Sequence, residues 1–274
     1  MLDRQPVAEP GGLETGTTMG GLFGLDGQVA VVIGGTGVLG GAICHGLAEA
    51  GAAVAVLGRS PERANARVSA IEAAGGHAVP VLVDSTSPDS VEAARREVER
   101  LLGPVDILVN AAGVNSSTPF LEIGLEEWHR ILDADLTAVF VACQVFGRGM
   151  IERGAGGSII NISSASSGPP LSRVLTYSVA KAGVNSLTQY LALEFAPSHI
   201  RVNAVAPGFF PAEQNRALLS EERVRSILGH TPARRLGEPG ELCGTIVWLA
   251  SAAASGFVTG AIIRVDGGFS AMTI

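Results

Sequence analysis

Val29-Ala-Val-Val-Ile-Gly-Gly-Thr-Gly-Val-Leu-Gly-Gly41 decides how this chain folds. The unbroken apolar run Val29–Ile33 reads as a strand covered on both faces. It passes directly into a glycine cluster and then into a helix-forming stretch, Ala42–Ala50. Glycine lets the main chain turn tightly and approach a pyrophosphate. The helix N-terminus behind it offers free N–H groups and the positive end of a dipole. A glycine cluster alone marks a tight turn. Between a buried strand and a helix it marks a nucleotide site. Gly34, Thr36, Val38, Leu39 and Gly40 are therefore assigned to a cofactor.

The same alternation continues outward. Apolar runs predict further strands at Ala53–Leu57, Ala78–Val83, Val105–Val109, Ser158–Ile162, Arg201–Val205 and Ala261–Val265. Helices are predicted between them at Pro61–Ala74, Pro88–Leu102, Leu125–Glu152, Thr176–Ala196 and Pro239–Ser251. No repeat or second composition zone interrupts the series. The pattern predicts one α/β domain over 25–274, a Rossmann-type doubly wound parallel sheet of about seven strands with helices on both faces. Residues 1–24 lack periodicity and the layout of a signal peptide, and are expected to form a disordered leader, with Met19 an alternative start.

The chemistry points to another place. Lys181 is the sole lysine; the other basic residues among the 19 are arginines. An arginine replaces lysine wherever a surface charge is wanted, but not where a compact ammonium must stand beside a phenol. Tyr177 precedes Lys181 by one helical turn, so both fall on one helix face. A phenol is a poor acid at neutral pH, and a neighbouring ammonium favours its ionised form. Such a tyrosine gives a proton to a carbonyl oxygen or takes one from an alcohol. A second donor is expected at the end of strand Ser158–Ile162. Ser164 is the candidate and Ser163 the alternative, since strand alternation lets only one of them face the site.

Composition bounds the partners. The chain has 274 residues, 47% of them hydrophobic, enough for one ordinary core. A formal charge of -7 without any basic run argues against nucleic acid and anionic membranes. No apolar stretch is expected to approach the roughly 20 residues of a membrane span. Cys44, Cys143 and Cys243 are isolated, with no metal-binding spacing, and read as reduced thiols of a cytoplasmic protein without a metal site. The partner implied is a small molecule. The second predicted strand ends in Leu57-Gly58-Arg59, with no carboxylate for a ribose diol. Arg59 suits a 2′-phosphate, which favours NADP(H) and leaves NAD(H) possible.

From about Leu25 onward the sequence resembles the short-chain dehydrogenase/reductase family. The resemblance rests on the glycine turn, Asp84 after the third strand, Asn110-Ala-Ala-Gly113, Ser164, Tyr177-x-x-x-Lys181, Pro207-Gly208 and Val265-Asp-Gly-Gly268. It implies hydride exchange with a nicotinamide. Tyr177 would be the acid/base, Lys181 the ribose anchor and tuner of the phenol, and Ser164 the holder of the substrate oxygen. Asp84 and Ser85 would meet the adenine. Asn110, Ala111, Gly113, Pro207, Gly208 and Phe210 would line the rest of the crevice, together with Tyr177 and Lys181. The helices Leu125–Glu152 and Thr176–Ala196 correspond to those that pair between subunits in this family, and Val139, Val145, Leu187 and Leu191 exceed what one sheet-facing side needs. A homotetramer is the expectation.

The last third also resembles D-mannonate oxidoreductases of the short-chain type, through Ala206-Pro-Gly-Phe-Phe-Pro-Ala-Glu-Gln-Asn-Arg216, Gly229-His-Thr-Pro232 and Ser255-Gly-Phe-Val-Thr-Gly260. This implies a substrate lid around 209–230 and a sugar acid such as mannonate or fructuronate. Gln214, Asn215 and Arg216, with Arg173 and Ser164, would contact it. Three departures stand out. The turn has Ile33 and Val38 where the family has threonine and glycine. Ala212 replaces a lid threonine. Asp135 replaces the asparagine of the catalytic tetrad, and is counted with Ser164, Tyr177 and Lys181 as catalytic. Two alternatives stay open: a reductase of another small ketone, and a nucleotide-binding protein without turnover on the same fold.

Overall fold

The computed structural model describes residues 19–168, 171–211 and 220–271. Seven parallel strands form one sheet in the order β3-β2-β1-β4-β5-β6-β7. They are β1 (Val29–Ile33), β2 (Ala53–Gly58), β3 (His77–Leu82), β4 (Ile107–Asn110), β5 (Gly157–Ile162), β6 (Ile200–Pro207) and β7 (Ile262–Val265). The order runs outward from β1 in both directions, so the crevice over the β1–β4 boundary is the topological switch point. Every residue of β1, β4 and β6 is buried, which explains the unbroken apolar run of β1 and the largely apolar character of the other two. Within β1, Ala30 and Val32 face one core cluster while Val29, Val31 and Ile33 face the other.

Helix α1 (Met19–Phe23) precedes the sheet; α2 (Val38–Glu49) and α3 (Pro61–Ala73) cover one face, with α4 (Pro88–Leu102) on the other. Ser60 and Ser87 cap α3 and α4, accepting from the N–H of Arg63 and Ser90, and each is followed by a proline that cannot donate at the first helical position. Behind α4 run α5 (Leu125–Leu132), α6 (Ala138–Arg153) and α7 (Leu175–Phe195), followed by α8 (Glu221–His230) and α9 (Cys243–Ala250).

Several expectations need correction. The predicted helix Leu125–Glu152 contains a π turn at Asp133–Thr137 between α5 and α6. The turn carries the buried Asp135 carboxylate, which accepts the Val114 N–H at 2.9 Å. Leu136 beside it packs where a Cβ on Gly183 would stand, 2.8 Å from Leu136 Cδ2. The whole run Leu125–Arg153 has 29 residues, with an 18-residue window of mean hydropathy 1.3, so an apolar helix of membrane-spanning length does exist. Its inner face, from Val139 through Met150, belongs to the core under β4 and β5. Val105 and Asp106 precede β4 instead of starting it, and Pro239–Leu242 is a 3-10 turn leading into α9. Residues 19–23 of the supposed leader form α1, tied down by the Ser251 hydroxyl donating to the Leu22 carbonyl at 2.7 Å.

Candidate active site

The glycine turn is shaped by contacts that only glycine permits. A Cβ on Gly34 would lie 2.6 Å from the Ala112 nitrogen, and one on Gly40 would lie 2.1 Å from the Gly34 carbonyl oxygen. The turn is thus pressed against the loop after β4 on one side and against the first turn of α2 on the other. Gly58, at the end of β2, leaves room for Thr36, whose Oγ1 would stand 2.5 Å from an added Cβ. Gly37 is the N-cap of α2 and no side chain caps that end. Val38, Leu39 and Gly40 are its first three residues, whose N–H groups a helix leaves without internal acceptors. An uncapped helix start behind a turn of three glycines and Thr36 fits a pyrophosphate.

At the adenine end, Arg59 is exposed just past β2. It lies within Coulombic reach of Asp84 and, among the described residues, makes no ion pair. Asp84 is exposed and accepts from the Thr86 N–H at 3.0 Å and the Thr86 hydroxyl at 2.7 Å; these bonds, helped by Arg59, hold its carboxyl below the usual range. Ser85 lies half-buried between them. Two expected crevice residues turn their side chains away. The Asn110 amide is buried and donates to Asn161 Oδ1 at 2.8 Å, its register partner on the neighbouring β5. The Phe210 ring is buried against Gly237 in the core. Only their main chains remain for a cofactor. Ala111 and Gly113 continue from Asn110, and Pro207 ends β6 with Gly208 held against Asp266, where a Cβ would stand 2.7 Å from Asp266 Cα.

The catalytic candidates converge where β5, the π turn and α7 meet. Ser164, just past β5, lies close enough to the Tyr177 phenol to lower its pKa. Its Oγ also accepts from the Ser166 N–H at 3.1 Å, capping the short 3-10 turn Ala165–Ser167. Ser163 points the other way, buried, donating to the Lys181 carbonyl at 3.3 Å, so the alternation resolves in favour of Ser164. Lys181 is 3% exposed, donates to the Ile162 carbonyl at 3.1 Å and stands 5.5 Å from the Tyr177 ring centroid. Asp135 is fully buried, its Oδ1 3.2 Å from Lys181 Nζ. A Cβ on Gly113 would meet that oxygen at 2.4 Å, so glycine is what admits the carboxylate.

Opposing forces act on the phenol. Burial pushes the Tyr177 pKa up; the Lys181 ammonium pulls it down, the Asp135 carboxylate pushes it up, and the Ser164 hydroxyl pulls it down. Upward wins. Asp135 is also held above the ordinary carboxylate range, because burial outweighs the pull of Lys181 and of the Val114 N–H.

The substrate side is sparser. Arg173 is exposed, with φ at 65, in the turn leading into α7. A left-handed backbone at a non-glycine residue is strained and is drawn to functional sites. Gln214, Asn215 and Arg216, with Ala212, lie outside the described residues. The sequence pointed past Arg223, on α8, which donates to the Ser172 carbonyl at 2.8 Å and so ties α8 to the turn carrying Arg173. The far end of α8 rests on Phe269, whose ring is 4.7 Å from His230 and 5.1 Å from Phe209. No motif marks Arg223; it is one arginine among many, and only the fold sets it against Ser172.

Comparison with known proteins agrees with this arrangement. A family model described as enoyl-(acyl carrier protein) reductase matches residues 36–270. The uncharacterized oxidoreductase UxuB of Bacillus subtilis (strain 168) is 38% identical over 268 residues, covering 90% of this chain and 96% of the relative. The 5-keto-D-gluconate 5-reductase of Escherichia coli (strain K12) is 36% identical over 251 residues, covering 91% of this chain and 98% of the relative. The crystal structure of a gluconate 5-dehydrogenase from Burkholderia cenocepacia J2315, in complex with NADP and tartrate, superposes with a TM-score of 0.87 at 36% identity, covering 92% of this chain and 98% of that one. Sheet order, site and relatives together make the protein a member of the short-chain dehydrogenase/reductase family, whose relatives named here are oxidoreductases.

Proposed function

We propose that this protein is an NADP(H)-dependent oxidoreductase interconverting a secondary alcohol and a ketone on a sugar acid, with gluconate/5-ketogluconate and mannonate/fructuronate as the leading pairs. The observation that carries the reading is the convergence of Ser164, Tyr177 and Lys181 beside the Asp135 π turn. The relatives named for gluconate chemistry support the sugar-acid class, and one of them holds NADP. The mannonate pair rests on the resemblance of the last third alone.

A bound nicotinamide cofactor supplies or takes the hydride. The protein's own residues handle the rest. Ser164 holds the substrate oxygen, and Tyr177 gives or takes the proton at its phenolic oxygen. Lys181, with one N–H on the Ile162 carbonyl, has donors left for the ribose and lends its charge to the phenolate. Val38, Leu39 and Gly40 give N–H groups to the pyrophosphate, and Arg59 pairs with a 2′-phosphate. Arg173 and the lid around Arg216 take the substrate carboxylate. The enzyme works as a cytoplasmic homotetramer; the free, buried thiols of Cys44 and Cys143 suit a reducing compartment.

The test is the absorbance of reduced nicotinamide with each cofactor against a panel of hexonates, their keto acids and neutral hydroxyketones. Turnover confined to sugar acids supports the reading. Turnover of only neutral ketones moves the substrate class, and turnover of nothing, with cofactor bound, favours the non-enzymatic alternative.

A further inference from the structure

The buried Asp135–Lys181 pair is a departure with consequences of its own. Asp135 sits in the middle of a π turn, a local widening that recurs at functional sites because it re-aims a side chain out of the regular helical ladder. Its carboxylate is fully buried and is shared between two groups. Oδ2 accepts the Val114 N–H at 2.9 Å, and Oδ1 lies 3.2 Å from Lys181 Nζ. Gly113 clears the space that Oδ1 occupies.

The two contacts are of different kinds. The Val114 bond asks only for an acceptor, which a neutral amide supplies equally well. The Lys181 contact is out of line for a hydrogen bond, since Oδ1 lacks a geometrically proper donor among the described residues, so it is chiefly charge against charge. A full negative charge at this point therefore does something that the fold does not need. It offsets the ammonium that would otherwise act on Tyr177 alone, and it repels the phenolate directly.

We infer that Asp135 is a positioning residue that keeps Tyr177 in its proton-giving form, holding Lys181 from the π turn while setting a second charge against the phenolate. The inference rests on the proposed role of Tyr177 as proton carrier. The charged and titratable groups facing Asp135 are few among the described residues: Lys181 and Tyr177 on α7, and Arg130 on α5, with only main-chain groups from the loop after β4. Lys181 and Arg130 favour the charged carboxylate while burial raises its titration, and the inference concerns the carboxylate in its ionised form, 3.2 Å from Lys181 Nζ. Ketone reduction, which needs the phenol, then persists to higher pH. Alcohol oxidation, which needs the phenolate, begins at higher pH than it would with a neutral residue.

The protein has two tyrosines, and this makes the inference readable without any substrate. Tyr190 is 65% exposed on the outer part of α7, so Tyr190→Phe leaves Tyr177 as the sole phenol. In that background, ultraviolet titration of the phenolate reports Tyr177 alone. Asp135→Asn keeps an acceptor for the Val114 N–H and removes the charge; the midpoint should fall by about one pH unit, as for loss of one nearby like charge. Asp135→Ser, neutral and smaller, is the second arm if the amide variant does not fold. The oxidation profile of any alcohol turned over should move down by a similar interval. A midpoint that stays put in a folded neutral variant overturns the inference. Because the titration needs no substrate, a failure of every sugar acid leaves it standing, and turnover with an unmoved midpoint sinks it alone.

Discussion

The corner where β5, the π turn and α7 meet and the exposed periphery around it are built on opposite terms. In the corner, Lys181 is 3% exposed and Asp135 not at all, and each is held by more than one neighbour. At the periphery, Arg59 and Arg173 are exposed without ion partners among the described residues, and α8 reaches its surroundings through Arg223, Ile227 and an aromatic contact. One helix contains both: α7 buries Thr176, Ala180, Lys181, Val184, Thr188 and Ala192 along one side and exposes Val179, Tyr190 and Leu193 on another. On the proposed reading the over-determined region carries the proton transfer and the sparse one the contacts to cofactor phosphate and substrate, since an exposed arginine can change partners at little cost to the fold.

The contrast breaks most sharply at Tyr177. Tyr177→Phe keeps the ring and its packing but removes the only proton carrier. Turnover should fall by about a thousandfold, the usual scale for a positioned general acid, while cofactor affinity stays within about twofold. Steady-state kinetics beside a fluorescence titration of cofactor measures both. Full turnover in this variant would remove Tyr177 from the reaction and with it the functional importance of the corner.

The same contrast explains what was legible in the sequence. The strands were readable because β1, β4 and β6 are buried throughout and so are mostly apolar, with the buried Asn110, Arg201 and Asn203 each hydrogen-bonded. The corner was readable because Tyr177 and Lys181 share one helix, where spacing in sequence is spacing in space. Val139, Val145, Leu187 and Leu191, surplus apolar surface by periodicity, pack against the core instead; the exposed ones include Phe140, Ile151, Val179, Tyr190 and Leu193. Periodicity locates a helix face but not the small rotation that decides which edge of it meets solvent. The π turn adds to that error, since it shifts the register of everything after Asp133. The side-chain partner of Asn110 was hidden for a related reason: Asn161 lies 51 positions away on the next strand. Long-range pairing leaves no local mark.

Arg59 tests the periphery at the cofactor end. Arg59→Ala should weaken NADPH by about tenfold to a hundredfold, the loss expected for charge-assisted hydrogen bonds to a phosphate, and NADH hardly at all. The comparison is made by titrating both cofactors into each protein. Equal weakening of the two would make Arg59 a surface charge and move the choice of cofactor elsewhere in the turn, toward Thr36.

The smallest effect is expected on the outer face of α7, where Val179, Tyr190 and Leu193 lie within a narrow angular range, 43%, 65% and 77% exposed. Apolar side chains aligned on one face of a small domain ask for cover, and a second copy related by a twofold axis offers the same stripe in return. Leu193→Glu places like charges opposite each other across such an axis, where neither can be solvated. It should lower the mass seen by light scattering at micromolar concentration. The fold should change by no more than about 0.5 kcal/mol, since within one subunit the residue touches little. Turnover per site should survive, because Tyr177 and Lys181 sit at the other end of the helix. A wild-type protein that is already monomeric would end the argument. A variant that keeps its mass would move the interface to another face, such as that of Phe140 on α6.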